Sequence, residues 1–211
     1  VYVIGVESNL VHQEQALKLG LVHELLELDT AINISDLIIL AVPVDIIESL
    51  LPKILDQITP KTVLIDLGST KEAICEFISN HTMRSRFVAA HPLAGTEFSG
   101  PQAAQKGLFQ NKKNIICDKE RSDPDALDLA LRLFGSLGLH TSFMSAKDHD
   151  KHLAYVSHLS HVSSFMLGLT VLDIENDERQ IFDLAGTGFA STVRLAKSHP
   201  DTWAAIFDKN S

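Results

Sequence analysis

The sequence has few of the features that mark secreted, membrane-bound and zinc-binding proteins. Only two cysteines occur among 211 residues, Cys75 and Cys117, and their spacing fits neither a disulfide framework nor a zinc site. No apolar run approaches the roughly 20 residues of a membrane-spanning helix, because the run at residues 37–43 is short and charged residues follow it. We therefore expect a cytoplasmic protein without a membrane span.

Basic residues are scarce relative to acidic ones. The chain has 18 Lys plus Arg against 27 Asp plus Glu, which gives a net charge of −9. This balance repels nucleic-acid phosphates unless basic side chains are concentrated locally, and the basic clusters at residues 112–113 and 119–121 are short. We expect no nucleic-acid partner.

An initiator Met and a secretory signal are also missing. The chain opens within an apolar stretch, residues 1–6, without the charged segment and cleavage site of a signal peptide. We expect the sequence to begin inside a fold.

Strand-like and helix-like segments alternate over the first two thirds of the chain. Apolar runs predict strands at residues 1–6, 37–42, 63–67, 87–90, 115–117 and 139–144, and helical periodicity predicts helices at residues 10–19, 44–58, 71–79 and 123–136. This alternation predicts an α/β fold with a Rossmann-like, mostly parallel sheet, which binds ligands at the carboxyl ends of its strands. Only helical patterns follow, so we expect a sheet domain over residues 1–144 and an all-α domain over residues 145–211.

Glu7 directly follows the first predicted strand. In a dinucleotide-binding fold an acidic side chain at this place accepts hydrogen bonds from the adenosine ribose hydroxyls, which favours NAD over NADP. The other interpretation is that Glu7 only begins a turn. The Gly-x-Gly-x-x-Gly turn expected about 20 residues earlier in such folds does not occur in the sequence. We therefore expect the sheet to lack its first strand and glycine loop.

His91 follows a central predicted strand and opens the segment His-Pro-Leu-Ala-Gly-Thr-Glu. A neutral imidazole there could accept a proton from a substrate hydroxyl, or it could only cap a backbone carbonyl in a turn. Ser69 follows the preceding strand, where the N–H groups of a beginning helix attract anions. It could orient the substrate or His91, and it could also be the N-cap of the helix.

Four histidines at helical spacing open the second domain: His149, His152, His158 and His161. Histidines on one helix face can bind a metal, but no Cys or acidic residue falls at a matching ligand spacing, so we expect no metal. His158 and His161 instead predict the polar lining of a cleft. Asp148 and Asp150, which flank His149, are expected to cap the helix that begins there.

Arg194 lies one helical turn beyond Ser191. A guanidinium can bind a carboxylate through two hydrogen bonds. The alternative is a surface arginine paired with Asp183 or Asp201. Trp203, the only tryptophan, is expected in the core or at a domain interface.

Five segments together resemble the prephenate dehydrogenase family in order and spacing. They are Ala41-Val42-Pro43, Asp66-Leu67-Gly68-Ser69-Thr70-Lys71, His91-Pro92-Leu93-Ala94-Gly95-Thr96-Glu97, Ser157-His158-Leu159-Ser160-His161, and Gly188-Phe189 through Arg194. The resemblance spans nearly the whole chain. It departs from the family pattern at Ser160 and Ser191, where members often have Pro and Asp.

The resemblance implies a nucleotide-binding domain, a helical domain that forms a homodimer, and oxidative decarboxylation of prephenate to 4-hydroxyphenylpyruvate with NAD. By position, the resemblance implies that His91 takes the proton of the ring hydroxyl and Ser69 supports that contact. The implied substrate-binding residues are Glu97, His158, His161 and Arg194. The implied cofactor-binding residues are Glu7, Ala41, Val42 and Pro43.

Three alternatives remain open at this stage. Arogenate dehydrogenases differ only in recognising an amino group where prephenate has a keto group. A hydroxyacid dehydrogenase of similar two-domain plan would use a lysine of the helical domain, for which Lys151 is the nearest candidate. A catalytically inactive binding or regulatory module would retain the fold without the chemistry.

Overall fold

The computed structural model describes residues 1–96, 98–177 and 180–210. Its strands are β1 (Ile4–Gly5), β2 (Glu24–Leu25), β3 (Leu37–Leu40), β4 (Val63–Asp66), β5 (Phe87–Pro92), β6 (Lys113–Cys117) and β7 (His140–Met144). Strands β3 to β7 form one five-stranded sheet in chain order, while β1 and β2 form a separate parallel pair. Among the described pairings only β5 with β6 is antiparallel. The predicted α/β fold with a mostly parallel sheet is confirmed.

Except between β5 and β6, an α-helix separates consecutive strands up to β7, after which the described regular elements are all helical. They are α1 (Leu10–Lys18), α2 (Leu28–Ile34), α3 (Val44–Leu55), α4 (Glu72–Phe77), α5 (Pro124–Ser136), α6 (Ala146–Leu153), α7 (Leu159–Asp177), α8 (Thr187–Thr192) and α9 (Pro200–Lys209). A π-helical turn, Ala154–His158, joins α6 to α7. No described helix has both the length and the apolar character needed to cross a membrane.

The five-stranded sheet is covered on both faces, as long apolar strands predict. Successive residues of β4 point to opposite sides: Leu64 joins the cluster that contains Ile47 of α3, and Ile65 joins the cluster that contains Phe134 of α5. All four of these side chains are buried. Burial on both faces fixes β4 and β5, and therefore the loops that follow them.

The β1–β2 pair is not joined to the larger sheet. A cleft of about 240 Å³ lies between them, lined on one side by Ile4 and Val6 and on the other by Leu37, Ile39 and neighbouring residues. The predicted strand at residues 1–6 is reduced to Ile4–Gly5, because only these residues pair with β2. Among the described residues no strand pairs with both the β1–β2 pair and the five-stranded sheet.

Candidate active site

His91 lies on β5 and forms a hydrogen-bonded row with two side chains of α6. Its Nδ1 is 2.9 Å from Nε2 of His149, and Nδ1 of His149 is 2.6 Å from Oδ1 of Asp150. His149 is fully buried and Asp150 is 1% exposed. The predicted strand ended at residue 90, but pairing of His91 with Ile115 of β6 extends β5.

Asp150 connects this row to α4. Its carboxylate accepts hydrogen bonds from the backbone N–H groups of Lys71 and Glu72, at 2.8 to 3.0 Å. The prediction that Asp150 caps its own helix is therefore wrong, because the N-cap of α6 is Ser145, whose hydroxyl accepts from the Asp148 N–H. The expected N-cap role of Ser69 is also wrong, since α4 begins at Glu72 with Lys71 at its N-cap position.

A buried ion pair lies beneath the turn between β4 and α4. Lys71 Nζ contacts Asp66 Oδ2, and neither side chain has any exposed surface. Asp66 also accepts hydrogen bonds from the N–H groups of Gly68 and Ala90. Lys71 is thus committed to an internal carboxylate, and the anion held at the start of α4 is Asp150 of the same chain.

Ser69 lies where two cavities meet. The larger, of about 660 Å³, is also lined by Glu7, Ala41, Val42 and Pro43. The smaller, of about 360 Å³, is also lined by residues of β5 and the loop after it, of α6, of the π-helical turn and of α9: His91, Leu93, Leu153, Ser157, His158 and Trp203. The predicted cofactor residues therefore surround one cavity, and two predicted catalytic residues and one predicted substrate residue surround the adjoining one.

Gly68 has a steric reason to precede Ser69. A Cβ at this position would lie 2.8 Å from Ile47 Cδ1 and 3.1 Å from Asp66 Oδ2, distances at which these atoms would have to move. Glycine thus lets the turn approach α3 without displacing the Ile47 and Asp66 side chains.

The side chain of Glu7 is engaged by the turn before α1. Its Oε1 accepts from the Asn9 N–H at 2.9 Å, and its Oε2 is 3.7 Å from His12 Nδ1. Both interpretations of this residue are therefore compatible, because Glu7 fixes a turn and also lines the larger cavity.

The Nδ1 atoms of His158 and His161 have opposite hydrogen-bonding roles. Nδ1 of His158 is 2.9 Å from the amide nitrogen of Asn210, which is a donor, so Nδ1 is the acceptor. Nδ1 of His161 is 3.0 Å from the carbonyl oxygen of Ser157, so this nitrogen donates. His161 stacks on Trp203 at a centroid distance of 3.4 Å. Burial lowers the pKa of both imidazoles, which favours their neutral forms.

The π-helical turn explains why His158 reaches the smaller cavity. Val156, Ser157 and His158 of this turn all line it. Such turns shift the side chains that follow and are frequent at functional sites.

Arg194 lies in a neighbouring cavity of about 450 Å³ that includes His161, Thr96 and Trp203. Trp203 lines this cavity and the one with His91, so it forms a wall common to both. Neither Asp183 nor Asp201 is within ion-pair distance of Arg194, and Asp201 lies 3.8 Å from His199 instead. The predicted substrate residue Glu97 lies outside the described residues.

The electrostatic surroundings of His91 favour its neutral form. Burial is the main cause that lowers its pKa well below the ordinary value of 6.5, and the positive charge of Lys71 adds to this effect. A neutral imidazole has a lone pair that can accept a proton. Among the described residues no group of three or more His, Cys, Asp or Glu is arranged to hold a metal ion.

Lys151 is exposed on α6 and lines neither of the two cavities that meet at Ser69. The hydroxyacid dehydrogenase alternative, which needs a lysine at the site, is therefore not supported by the geometry.

Comparison with protein families assigns both parts of the chain. Residues 1–142 match the model described as prephenate dehydrogenase, nucleotide-binding domain, and residues 145–211 match prephenate dehydrogenase, dimerization domain. The chain belongs to the prephenate dehydrogenase family. The resemblance read from the five sequence segments is thereby confirmed.

Curated members of the prephenate dehydrogenase family are similar over most of the chain. A cyclohexadienyl dehydrogenase of Zymomonas mobilis is 28% identical over 186 residues, which are 88% of this chain and 64% of the relative. A prephenate dehydrogenase of Lactococcus lactis is 29% identical over 200 residues, 92% of this chain and 54% of the relative. The chain thus spans between half and two thirds of the length of these relatives.

Solved structures of the family share the fold. Prephenate dehydrogenase from Aquifex aeolicus, in complex with hydroxyphenyl propionate and NAD+, is 30% identical with a TM-score of 0.89, covering 98% of this chain and 73% of that one. Arogenate dehydrogenase from Synechocystis is 27% identical with a TM-score of 0.76, covering 99% and 75%. Enzymes named for prephenate and for arogenate thus both occur among the similar structures.

Proposed function

We propose that this chain is the catalytic part of an NAD-dependent prephenate dehydrogenase, which oxidatively decarboxylates prephenate to 4-hydroxyphenylpyruvate. The observation that carries the proposal is the arrangement of His91, whose Nδ1 is bonded to buried His149 while the ring lines the smaller cavity beside Ser69. The family membership of both parts of the chain supports it.

The larger cavity fits parts of NAD. Ala41, Val42 and Pro43 offer an apolar surface for the nicotinamide, and Glu7 provides a carboxylate for ribose hydroxyls. When bound, NAD accepts the hydride that the reaction releases. The sequence contains no Gly-x-Gly-x-x-Gly turn, so these residues fit the nicotinamide and ribose and leave the pyrophosphate contacts unassigned.

His91 acts as the base in this proposal. The proton of the ring hydroxyl goes to Nε2 of His91, while the hydride leaves the carbon that carries this hydroxyl. The bond to the ring carboxylate then breaks, carbon dioxide departs, and the electron pair moves through the ring to the former hydroxyl oxygen, which takes back a proton to give the hydroxyphenyl product. Because the ring becomes aromatic, the reaction is driven forward. Removal of the proton by a positioned imidazole contributes on the order of 10²- to 10⁴-fold to the rate.

The helical domain would bind the substrate's charged groups. We assign a carboxylate to Arg194, with His161 beside it and Trp203 between their cavity and that of His91. His158 would offer a further polar contact. Glu97 stays assigned to the substrate by its position in the sequence motif alone.

Substrate turnover tests the proposed function. The purified protein would be given prephenate or arogenate with NAD, and the NADH absorbance and released carbon dioxide would be measured. We expect one NADH and one carbon dioxide per prephenate, and a lower kcat/KM when NADP replaces NAD because Glu7 repels the additional phosphate. A higher kcat/KM for arogenate would make the protein an arogenate dehydrogenase. Turnover of neither substrate would favour the inactive binding module.

We also propose that the protein is a homodimer formed through the helical domain. Helix α7 exposes a set of large hydrophobic side chains: Leu159, Val162, Met166, Leu169, Leu172 and Ile174. An exposed set of this kind is typical of a protein interface. The match to a dimerization domain over residues 145–211 supports a second copy as the partner.

A further inference from the structure

Two residues outside the sequence motifs, His149 and Asp150, form a hydrogen-bonded row with His91. The row runs from the cavity inward: His91, then His149, then Asp150, with donor–acceptor distances of 2.9 and 2.6 Å. Since the two outer members of the row belong to different domains, β5 and α6 are connected by it.

The protonation of the row follows from its inner end. Asp150 accepts from two backbone N–H groups at the start of α4, and such bonds stabilise the ionised carboxylate. A carboxylate can only accept, so Nδ1 of His149 carries the proton. Nε2 of a neutral His149 is then an acceptor.

Only one position of the proton on His91 allows a hydrogen bond to Nε2 of His149. Its Nδ1 must donate to Nε2 of His149, because two lone pairs cannot form a hydrogen bond. In a neutral His91 the second nitrogen, Nε2, is then unprotonated. A proton acceptor is thus available on the side of the imidazole away from His149.

We propose that His149 and Asp150 are positioning residues that hold His91 as the Nδ1–H tautomer, leaving Nε2 as the proton acceptor. The part that concerns the substrate hydroxyl rests on the proposed function. The assignment of the tautomer does not depend on turnover.

The surroundings keep the row in one arrangement. His149 has no exposed surface, and its ring meets His91 edge to face, at a centroid distance of 5.1 Å and an angle of 65°. The backbone carbonyl of Asp150 accepts from the side chain of Asn210 at 2.9 Å. Asp150 is therefore fixed by α4 on one side and by the end of α9 on the other.

The tautomer can be measured without substrate. Protein labelled with ¹⁵N-histidine would be studied by long-range ¹H–¹⁵N correlation near neutral pH, with His91→Asn used to assign the signals. We expect His91 in the unvaried protein to show protonated Nδ1 and unprotonated Nε2. A His91 protonated at Nε2 would overturn the proposal.

Two substitutions separate hydrogen bonding from packing. His149→Phe retains an aromatic ring but removes the acceptor, so the Nδ1–H signal of His91 should give way to the Nε2–H form or a mixture. His149→Gln retains an amide oxygen that can accept, and should keep the original tautomer. His152→Phe and His152→Gln, at an exposed position of the same helix, are the matched controls. An unchanged His91 spectrum in folded His149→Phe would also contradict the proposal.

Kinetics provide the second measurement. A wrong tautomer removes the base but not the binding contacts, so His149→Phe should lower kcat by about 10²-fold and change KM by less than about 3-fold. His149→Gln should recover at least part of kcat. Equal loss in the two variants would assign His149 a packing role only. Absence of turnover in the unvaried protein would instead reject the proposed function. The tautomer assignment would then be tested by the NMR spectra alone.

Discussion

Burial and the charge of Lys71 act together on His91. Both lower its pKa below the ordinary value of 6.5, and burial likewise lowers the pKa of His158 and His161. An imidazole that must accept a proton is useful only while it is neutral. The fold therefore favours the neutral form of His91, which the proposed role as a base requires.

Activity and stability should both respond to this shift as the pH falls. The acidic limb of the kcat/KM profile should lie below about pH 6.5, because it reports protonation of His91 in the enzyme without bound substrate. In the window between the folded pKa and about 6.5, the unfolded chain binds protons that the folded one does not, so the free energy of unfolding decreases as pH decreases. Rate profiles and urea unfolding across this window provide the measurement. The free energy of unfolding should change less steeply with pH in His91→Asn. An acidic limb of kcat/KM above about pH 6.5 would contradict the argument.

Single residues were predictable where a strand end and a motif coincided. Ser69 follows one buried strand and His91 lies at the carboxyl end of another, so topology alone placed them at the carboxyl edge. His149 gave no comparable signal, because its role depends on α6 packing against α4 and β5. Its neighbour Asp150 contacts Lys71 and Glu72, which are 79 and 78 positions away in the chain, and no local pattern predicts such a contact.

At the scale of elements, the turn from β4 to α4 depends on the buried Asp66–Lys71 pair. Burial raises the pKa of Asp66, while Lys71 opposes this shift. Removal of one member of such a pair leaves an uncompensated buried charge, and typically costs about 3–5 kcal/mol. The pair therefore supports the same turn that carries Ser69.

Lys71→Met should accordingly lower the free energy of unfolding by about 3–5 kcal/mol. Adding Asp66→Asn should restore part of this loss, because the asparagine is neutral and its carbonyl oxygen can still accept from Gly68 or Ala90. Denaturant unfolding of the single and double variants is the measurement. Lys53→Met removes an ion pair that is largely exposed and should leave the midpoint nearly unchanged. A double variant less stable than Lys71→Met would contradict the explanation.

Short elements were the least predictable part of the fold. Strand β2 has only two residues, Glu24 and Leu25, too few to show alternation. Helix α2 contains Thr30, Ile32 and Ile34, β-branched residues with modest helix propensity. Both elements depend on packing against neighbours, whereas β3, β4 and α3 are long and apolar enough to be read from the sequence.

At the scale of the whole molecule, α7 exposes large apolar side chains to solvent. Leu169 and Leu172 are 55% and 54% exposed. Apolar side chains exposed in a row along a helix gain stability when a partner removes them from water. The proposed homodimer would provide that partner.

Leu169→Glu should shift the protein from dimer to monomer, because a charge within an apolar interface is costly. Sedimentation or light scattering at several concentrations would measure the mass. Leu10→Glu is the control, since Leu10 is a 77% exposed leucine of α1 and should leave the mass unchanged. A monomeric unvaried protein, or a dimer that withstands Leu169→Glu, would argue against α7 as the interface.

The arrangement of the two sheets lies beyond what the periodicity could predict. The sequence indicated a mostly parallel sheet, but the cleft between β1 and β3 depends on long-range pairing. The antiparallel direction of β6 was also not predicted, since apolar runs carry no information on strand direction. Fold class was therefore predictable, whereas register and direction required the structure.

The catalytic role of His91 is tested most directly by the kcat of His91→Asn with saturating prephenate and NAD. Asparagine can still donate a hydrogen bond to His149 but cannot take the substrate proton. We predict a fall in kcat of about 10³-fold or more, with KM within about 3-fold and with the exposed His140→Asn variant unaffected. A kcat of His91→Asn within about 3-fold of the unvaried enzyme would contradict the account.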